Sequence, residues 1–188
     1  DGFDSRNALM QHTYAVVSHA PRPIHLLARG EVEKPLEEVQ AGTLSCIRAL
    51  SPDFVLPANA PEGERRAALA NWLASPQNPL TWRSIVNRVW QYHFGKGIVE
   101  TPNDFGWNGA RPSHPELLDR LARGFRDGRQ SIRALHKLIV TSETYKQSSQ
   151  DNSANAKIDA DNRYLWRMNR RRLDAEEIRD TVLAVSGT

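Results

Sequence analysis

Seven residues of one segment constrain the fold more than any other feature of the chain. Trp82, Ile85, Val86, Val89, Trp90, His93 and Phe94 recur at i, i+3, i+4, i+7, i+8, i+11 and i+12. That spacing places all seven on one face of an α-helix more than three turns long. Gly95 follows at once, in the position where a left-handed residue ends a helix. A stripe this broad must be covered by other elements, so the surrounding chain has to supply apolar helix faces of its own. The wider stretch from Asn78 to Glu116 holds three of the five Trp and two of the six His.

Other helical periods are present. Glu62 to Ala74 carries Leu69 and Leu73 on one face, with Glu62 and Glu64 in the first turn, where the helix dipole favours acids. Ser75 to Pro79 reads as a turn, and Thr81 reads as the N-cap of the Trp82 helix. Ser113-His114-Pro115-Glu116 has the form of a capping box, opening a helix through Leu117, Leu118, Leu121 and Phe125 that Gly128 ends. Ser131 caps the next, with Ile132, Leu135, Leu138 and Ile139 inward and continuation expected to Tyr145. Lys146 to Ala160 reads as a polar surface loop and Asn162 to Met168 as a short helical piece. Asp174 with Glu177 caps the last helix, whose Ile178, Val182 and Val185 are expected to face the core.

Residues 1–60 read differently. Thr13 to Ser18 and Ile24 to Arg29 are short β-type runs on either side of Ala20-Pro21-Arg22-Pro23, so a hairpin ending at Gly30 is expected. Glu31 to Gln40 reads as loop. The predicted architecture is mainly α: a small helical bundle over 61–188 with a long ordered loop, and an N-terminal arm over 1–60 containing a short β-hairpin.

Composition narrows the function classes. Twenty-five Lys+Arg against 22 Asp+Glu leave a net charge of +3, too little for a dedicated nucleic-acid binder. No apolar run reaches the ~18 residues of a membrane-spanning helix. The single cysteine, Cys46, excludes an internal disulfide, a CxxC redox pair and CxxCH haem attachment. The chain opens on Asp1 rather than Met and reads as a piece of something longer.

The runs LANWLASPQNPLTWRSIVNRVWQYHFGKGIVETPNDFGWNGARPSHPELLDRLA, SIRALHKLIVTSETYKQSS and NRYLWRMNRRRLDAEEIRDTVLAVSG resemble a planctomycete domain of unknown function. It is found at the C-terminus of large proteins, downstream of planctomycete cytochrome c-like domains. The resemblance covers roughly Pro61 to Gly187, and the segment reads as stopping short of the family's full domain. It implies an exported parent, periplasmic or extracellular, with any haem carried by the cytochrome-like domain and no cofactor in this segment. The other domains of the parent are the implied partners. It brings no catalytic residue with it.

Three constellations carry what chemistry the residues offer. On the loop after the Trp82 helix, Asp104 with His93 or His114 would make an acid/base pair, with Arg88 or Arg111 orienting an anionic group. Asn103, Trp107 and Asn108 complete a ligand-binding set there. The alternative is structural: an Asx turn at Asn103-Asp104, Arg88 pinning the loop, and His93 a satisfied core-edge residue. Arg163, Arg167, Arg170 and Arg171 would form a polyanion-binding face if a helix ran through them, although neighbouring acids could pair with all four. His93, His114 and His136 lack the spacing of helical metal ligands, so no metal site is assigned. Three functions stay open. The first is a non-catalytic module for assembly or ligand binding; the second is an enzyme domain acting on an acidic or sulfated extracellular polysaccharide; the third is a polyanion-binding surface. No nucleic-acid partner is expected.

Overall fold

The structure, a computed structural model, describes residues 17–20, 22–57 and 59–187. The chain divides into two compact units, Asp1–Gln77 and Asn78–Thr188.

In the first unit, strands β1 (His25–Leu27) and β2 (Pro35–Glu38) pair antiparallel, with His25 opposite Glu38 and Leu27 opposite Pro35. A hairpin is present in this arm, but the run expected to be its second strand supplies its first, and the partner lies further along the chain. Thr13 to Val16 lie outside the described residues, and Val17 and Ser18 are not in a strand. The chain reverses after Leu27 because Arg29 and Gly30 adopt positive φ, 52° and 80°. It then returns through the segment read as loop, where Pro35 sits at a strand start that needs no N–H from it. Helix α1 (Glu62–Ala74) falls in this unit as well, with Arg66 bonded to Glu62 one turn earlier.

The second unit is built around helix α2 (Pro79–Phe94). It begins at Pro79, not after Thr81: the Asn78 side chain accepts from the Leu80 N–H at 3.1 Å, and Pro79 at N1 has no N–H to leave unsatisfied. Gly95 closes it at φ 81°, as its position demanded. Trp82, Val86, Val89, Trp90 and Phe94 are buried, and the stripe is covered by α3 (Pro115–Asp127) and α4 (Ile132–Val140). Trp82 meets Phe125 at 6.3 Å between ring centroids, and Trp90 stacks on Phe94 at 4.2 Å. Leu118, Leu121, Leu135 and Ile139 fill the space between the helices. Burial of side chains this size contributes about 1.5–3 kcal/mol each, so this cluster dominates the unit's stability.

Several boundaries differ from the sequence reading. His114, not Ser113, is the N-cap of α3, and it makes no side-chain cap bond. Ser113 faces the loop, its N–H and hydroxyl both donating to the Ile98 carbonyl. Ser131 does cap α4. That helix ends at Val140 because the Thr141 and Ser142 hydroxyls bond back to the Lys137 and Ile139 carbonyls. Ser142 then caps a separate short helix, α5 (Glu143–Lys146). Only Leu135 and Ile139 of α4 are buried, while Ile132 and Leu138 are exposed.

The expected loop 146–160 contains a one-and-a-half-turn helix, α6 (Ser153–Ile158), capped by Asn152. Residues 162–168 form turns rather than a helix. The two oxygens of the Asp159 carboxylate accept from the N–H groups of Arg163 and Tyr164, and Asn162 and Leu165 sit at positive φ, 51° and 56°. Gln147 donates to Leu165 O, and Asn169 donates to Phe94 O, which fastens this segment to the end of α2.

Helix α7 (Ala175–Ser186) has the expected capping box from Asp174 and Glu177. The burial expected of it is absent: Ile178, Val182 and Val185 are exposed, and none of its residues is buried. That stripe is open to solvent. Among the described residues, no helix is long and apolar enough to cross a membrane.

Candidate functional site

The loop between α2 and α3 is anchored by a residue the sequence reading passed over. Asn87, fully buried on α2, donates from Nδ2 to Val99 O at 2.9 Å and accepts at Oδ1 from Val99 N–H at 2.8 Å. Its side-chain amide thus substitutes for a neighbouring strand. An Asn between Val86 and Trp90 on a buried face was the available signal, since a polar group there needs partners. Further along, Thr101 Oγ1 donates to Asp104 O and accepts from Ala110 N–H, tying the two limbs of the loop together.

Asp104 is held within this loop. Its Oδ1 accepts from Gly106 N–H at 2.8 Å, an Asx turn. Among the described residues no hydrogen bond joins it to His93 or His114, so the acid/base pairing has no geometric counterpart. Arg88 extends Nη2 to Asn103 Oδ1 at 2.5 Å, bracing the loop's outer limb against α2. These are the structural alternatives for Asp104 and Arg88. Asn103, Trp107, Asn108 and Arg111 are all exposed on the loop's outer side. Below the loop is a cleft of about 210 Å³, bordered by Arg83 and Asp119. Those two are ion-paired at 2.6 Å, which holds the Asp119 carboxyl below its usual range.

The three histidines separate into two places. His93 Nε2 lies 2.6 Å from His136 Nδ1, joining α2 to α4, with Tyr145 edge-on to His93 at 5.7 Å. Burial, the facing His136 and nearby Arg171 all push the His93 pKa down. At that distance one ring nitrogen donates and the other accepts, the tautomer deciding which. Sequence separation of 43 residues hid this contact. His114 stands apart, its Nδ1 2.9 Å from Ser113 Oγ and its ring edge-on to Tyr164 at 5.8 Å. No group of three or more His, Cys, Asp or Glu among the described residues is placed to hold a metal ion.

The arginine run does not share a face, because the helix that would align it is absent. Arg167 lies over the Trp166 ring and pairs with Asp151 at 3.2 Å, and Arg171 pairs with Glu177. Arg170 is exposed. Arg163 turns the other way and donates from Nη2 to the Arg111 carbonyl at 3.4 Å. The fold thus brings one member of the run to the loop's Arg111, across 52 residues.

The second unit also carries apolar surface in two places. One is the face of α7 already described. The other is a groove of about 430 Å³ between α3 and α4, bordered by Leu117, Phe125, Leu138 and Ile139, with Arg120 its one charged lining residue.

A family model for PSD1, a protein of unknown function (DUF1553), matches residues 65–188. The chain belongs to the PSD1 family. The match takes in α2, the braced loop, the His93–His136 pair and the turns around Asn162. The PSD1 description carries no activity, so the site rests on its own geometry. Neither a curated protein nor a solved structure matches the chain.

Proposed function

We propose that this PSD1 chain is a non-catalytic assembly module of a larger protein, docking against other domains of its parent through α7. The observation that carries this reading is the exposure of Ile178, Val182 and Val185, at 50%, 60% and 84%. They sit at i, i+4 and i+7, one apolar stripe on a helix that is capped at both ends. A regular, capped helix with an uncovered stripe marks a contact surface. The α3–α4 groove supplies a second apolar surface on the same unit. The reading places the parent outside the cytoplasm, periplasmic or extracellular, with haem on a cytochrome c-like domain and none here, as the family resemblance implies.

The enzyme alternative finds no support in the position of Asp104, which is bonded within its own loop. The test compares hydrogen exchange of α7 in the parent protein and in the isolated chain. Assembly requires α7 amides to be protected in the parent beyond their level in the isolated chain, and Ile178→Asp with Val182→Asp to abolish that extra protection. Equal exchange in the two settings would sink the proposal.

A further inference from the structure

The outer end of the braced loop carries a feature that neither the fold nor the assembly surface uses. Gly106 to Gly109 form a β-turn closed by the Gly109 N–H donating to Gly106 O at 3.1 Å, and Trp107 occupies its second position. The indole is fully exposed and packs on nothing. Beneath it the turn is fixed by Asp104 and Thr101. A large flat side chain is therefore offered to solvent from a fixed backbone position.

Four residues along the same loop is Arg111, whose guanidinium has no hydrogen bond or ion pair among the described residues. Its carbonyl receives Nη2 of Arg163 at 3.4 Å, so two arginines distant in sequence adjoin here. Tyr164 follows, 62% exposed, its ring edge-on to His114. The Asp104 and Asp159 carboxylates are bonded to backbone N–H groups, and Asp161, two residues before Arg163 in the chain, is exposed.

We propose that Trp107, Arg111, Arg163 and Tyr164 form a binding surface for an acidic saccharide, one whose rings bear sulfate or carboxylate groups. The apolar face of a sugar ring packs on an indole, and a guanidinium fork matches a sulfate or carboxylate with two parallel hydrogen bonds. Two aromatic rings and two guanidiniums, with an acid close by in the chain, suit a ligand of modest charge density. A nucleic acid is favoured instead where many cations each neutralise a phosphate, and this chain's net charge is only +3.

The test is titration calorimetry on the full chain with four probes: a heparin-derived hexasaccharide, an oligouronate of the same length, a neutral cello-oligosaccharide and an oligothymidylate. The expected result is binding of the sulfated or the carboxylated probe, with the neutral sugar at least tenfold weaker. Trp107→Ala and Arg111→Ala should each weaken that binding by tenfold or more, with Tm unchanged because both side chains are exposed. Arg163→Ala should act in the same direction. Absence of binding by both acidic probes at millimolar concentration overturns the proposal. So does affinity indifferent to Trp107→Ala, or oligothymidylate binding as tightly as the better saccharide.

Discussion

Asn87 on α2 holds both backbone groups of Val99, at 2.9 and 2.8 Å, inside a site with no access to water. Every other feature of the α2–α3 loop starts from that clamp, because it fixes where the chain leaves the core. Replacing Asn87 with Leu keeps the branched heavy-atom skeleton and removes both bonds, leaving a buried N–H and a buried C=O without partners. At about 1–3 kcal/mol for each orphaned group, the expected loss is about 2–6 kcal/mol. Urea denaturation reads it as a lower midpoint at unchanged slope.

Three glycines should respond with opposite signs. A Cβ on Gly97 would lie 2.5 Å from Val99 O, and one on Gly109 2.2 Å from Asp104 O. Both neighbours are backbone and cannot step aside, so Gly97→Ala and Gly109→Ala should each destabilise by about 1–3 kcal/mol. Gly124 lies inside α3 with open space where its Cβ would point. Gly124→Ala should stabilise by about 0.5–1 kcal/mol through helix propensity. Calorimetric Tm values for the three variants check the pattern, and a stabilising Gly97→Ala would contradict the clamp geometry.

The His93–His136 pair makes stability depend on pH in a definite direction. The folded-state pKa of His93 is lowered from its ordinary 6.5, first by burial and then by His136 and Arg171. Tyr145 also faces the pair, its ring edge-on to His93. Below 6.5 the unfolded chain takes up a proton that the folded chain resists. Stability from this group is therefore complete above pH 6.5 and declines as pH falls through the folded pKa. His136→Ala should raise the His93 pKa by removing a facing ring and opening the site to water. NMR titration of the His93 ring in the two proteins measures the shift, and an unmoved or lower value in the variant would refute the coupling.

Helix α7 relies on its caps, since none of its residues is buried. Asp174→Ala removes the capping box bond to Glu177 N–H, worth about 0.5–2 kcal/mol locally. The amides of its first two turns should exchange several-fold faster, while the α2 amides and the global Tm stay put. Equal acceleration in α2 would mean that α7 is coupled to the core.

The candidate site was legible only in pieces. Trp107 was recognisable as the loop's exposed aromatic, because Gly106 and Asn108 beside it mark a turn. Arg111 and Arg163 were each visible as cations but belonged to separate constellations. Their adjacency depends on Asp159 capping a turn at Arg163 and Tyr164, in a segment whose residues could equally have formed a helix. The sequence carried no sign of the His93–His136 contact.

What the sequence determined by itself was local and periodic. The seven-residue stripe set α2 and its burial, Gly95 set its end, and Ser131 and Asp174 set the starts of α4 and α7, because helix period and capping act within a few residues. The tertiary structure decided which apolar faces found partners. Leu135 is covered, whereas Leu138 and the stripe of α7 are open, although all have the same helical spacing. It also decided whether Asn78 or Thr81, and His114 or Ser113, began a helix. Those outcomes depend on hydrogen bonds to distant carbonyls, such as Ser113 to Ile98, and on which surfaces the core had room to accept. Neither is written in the spacing of the residues concerned.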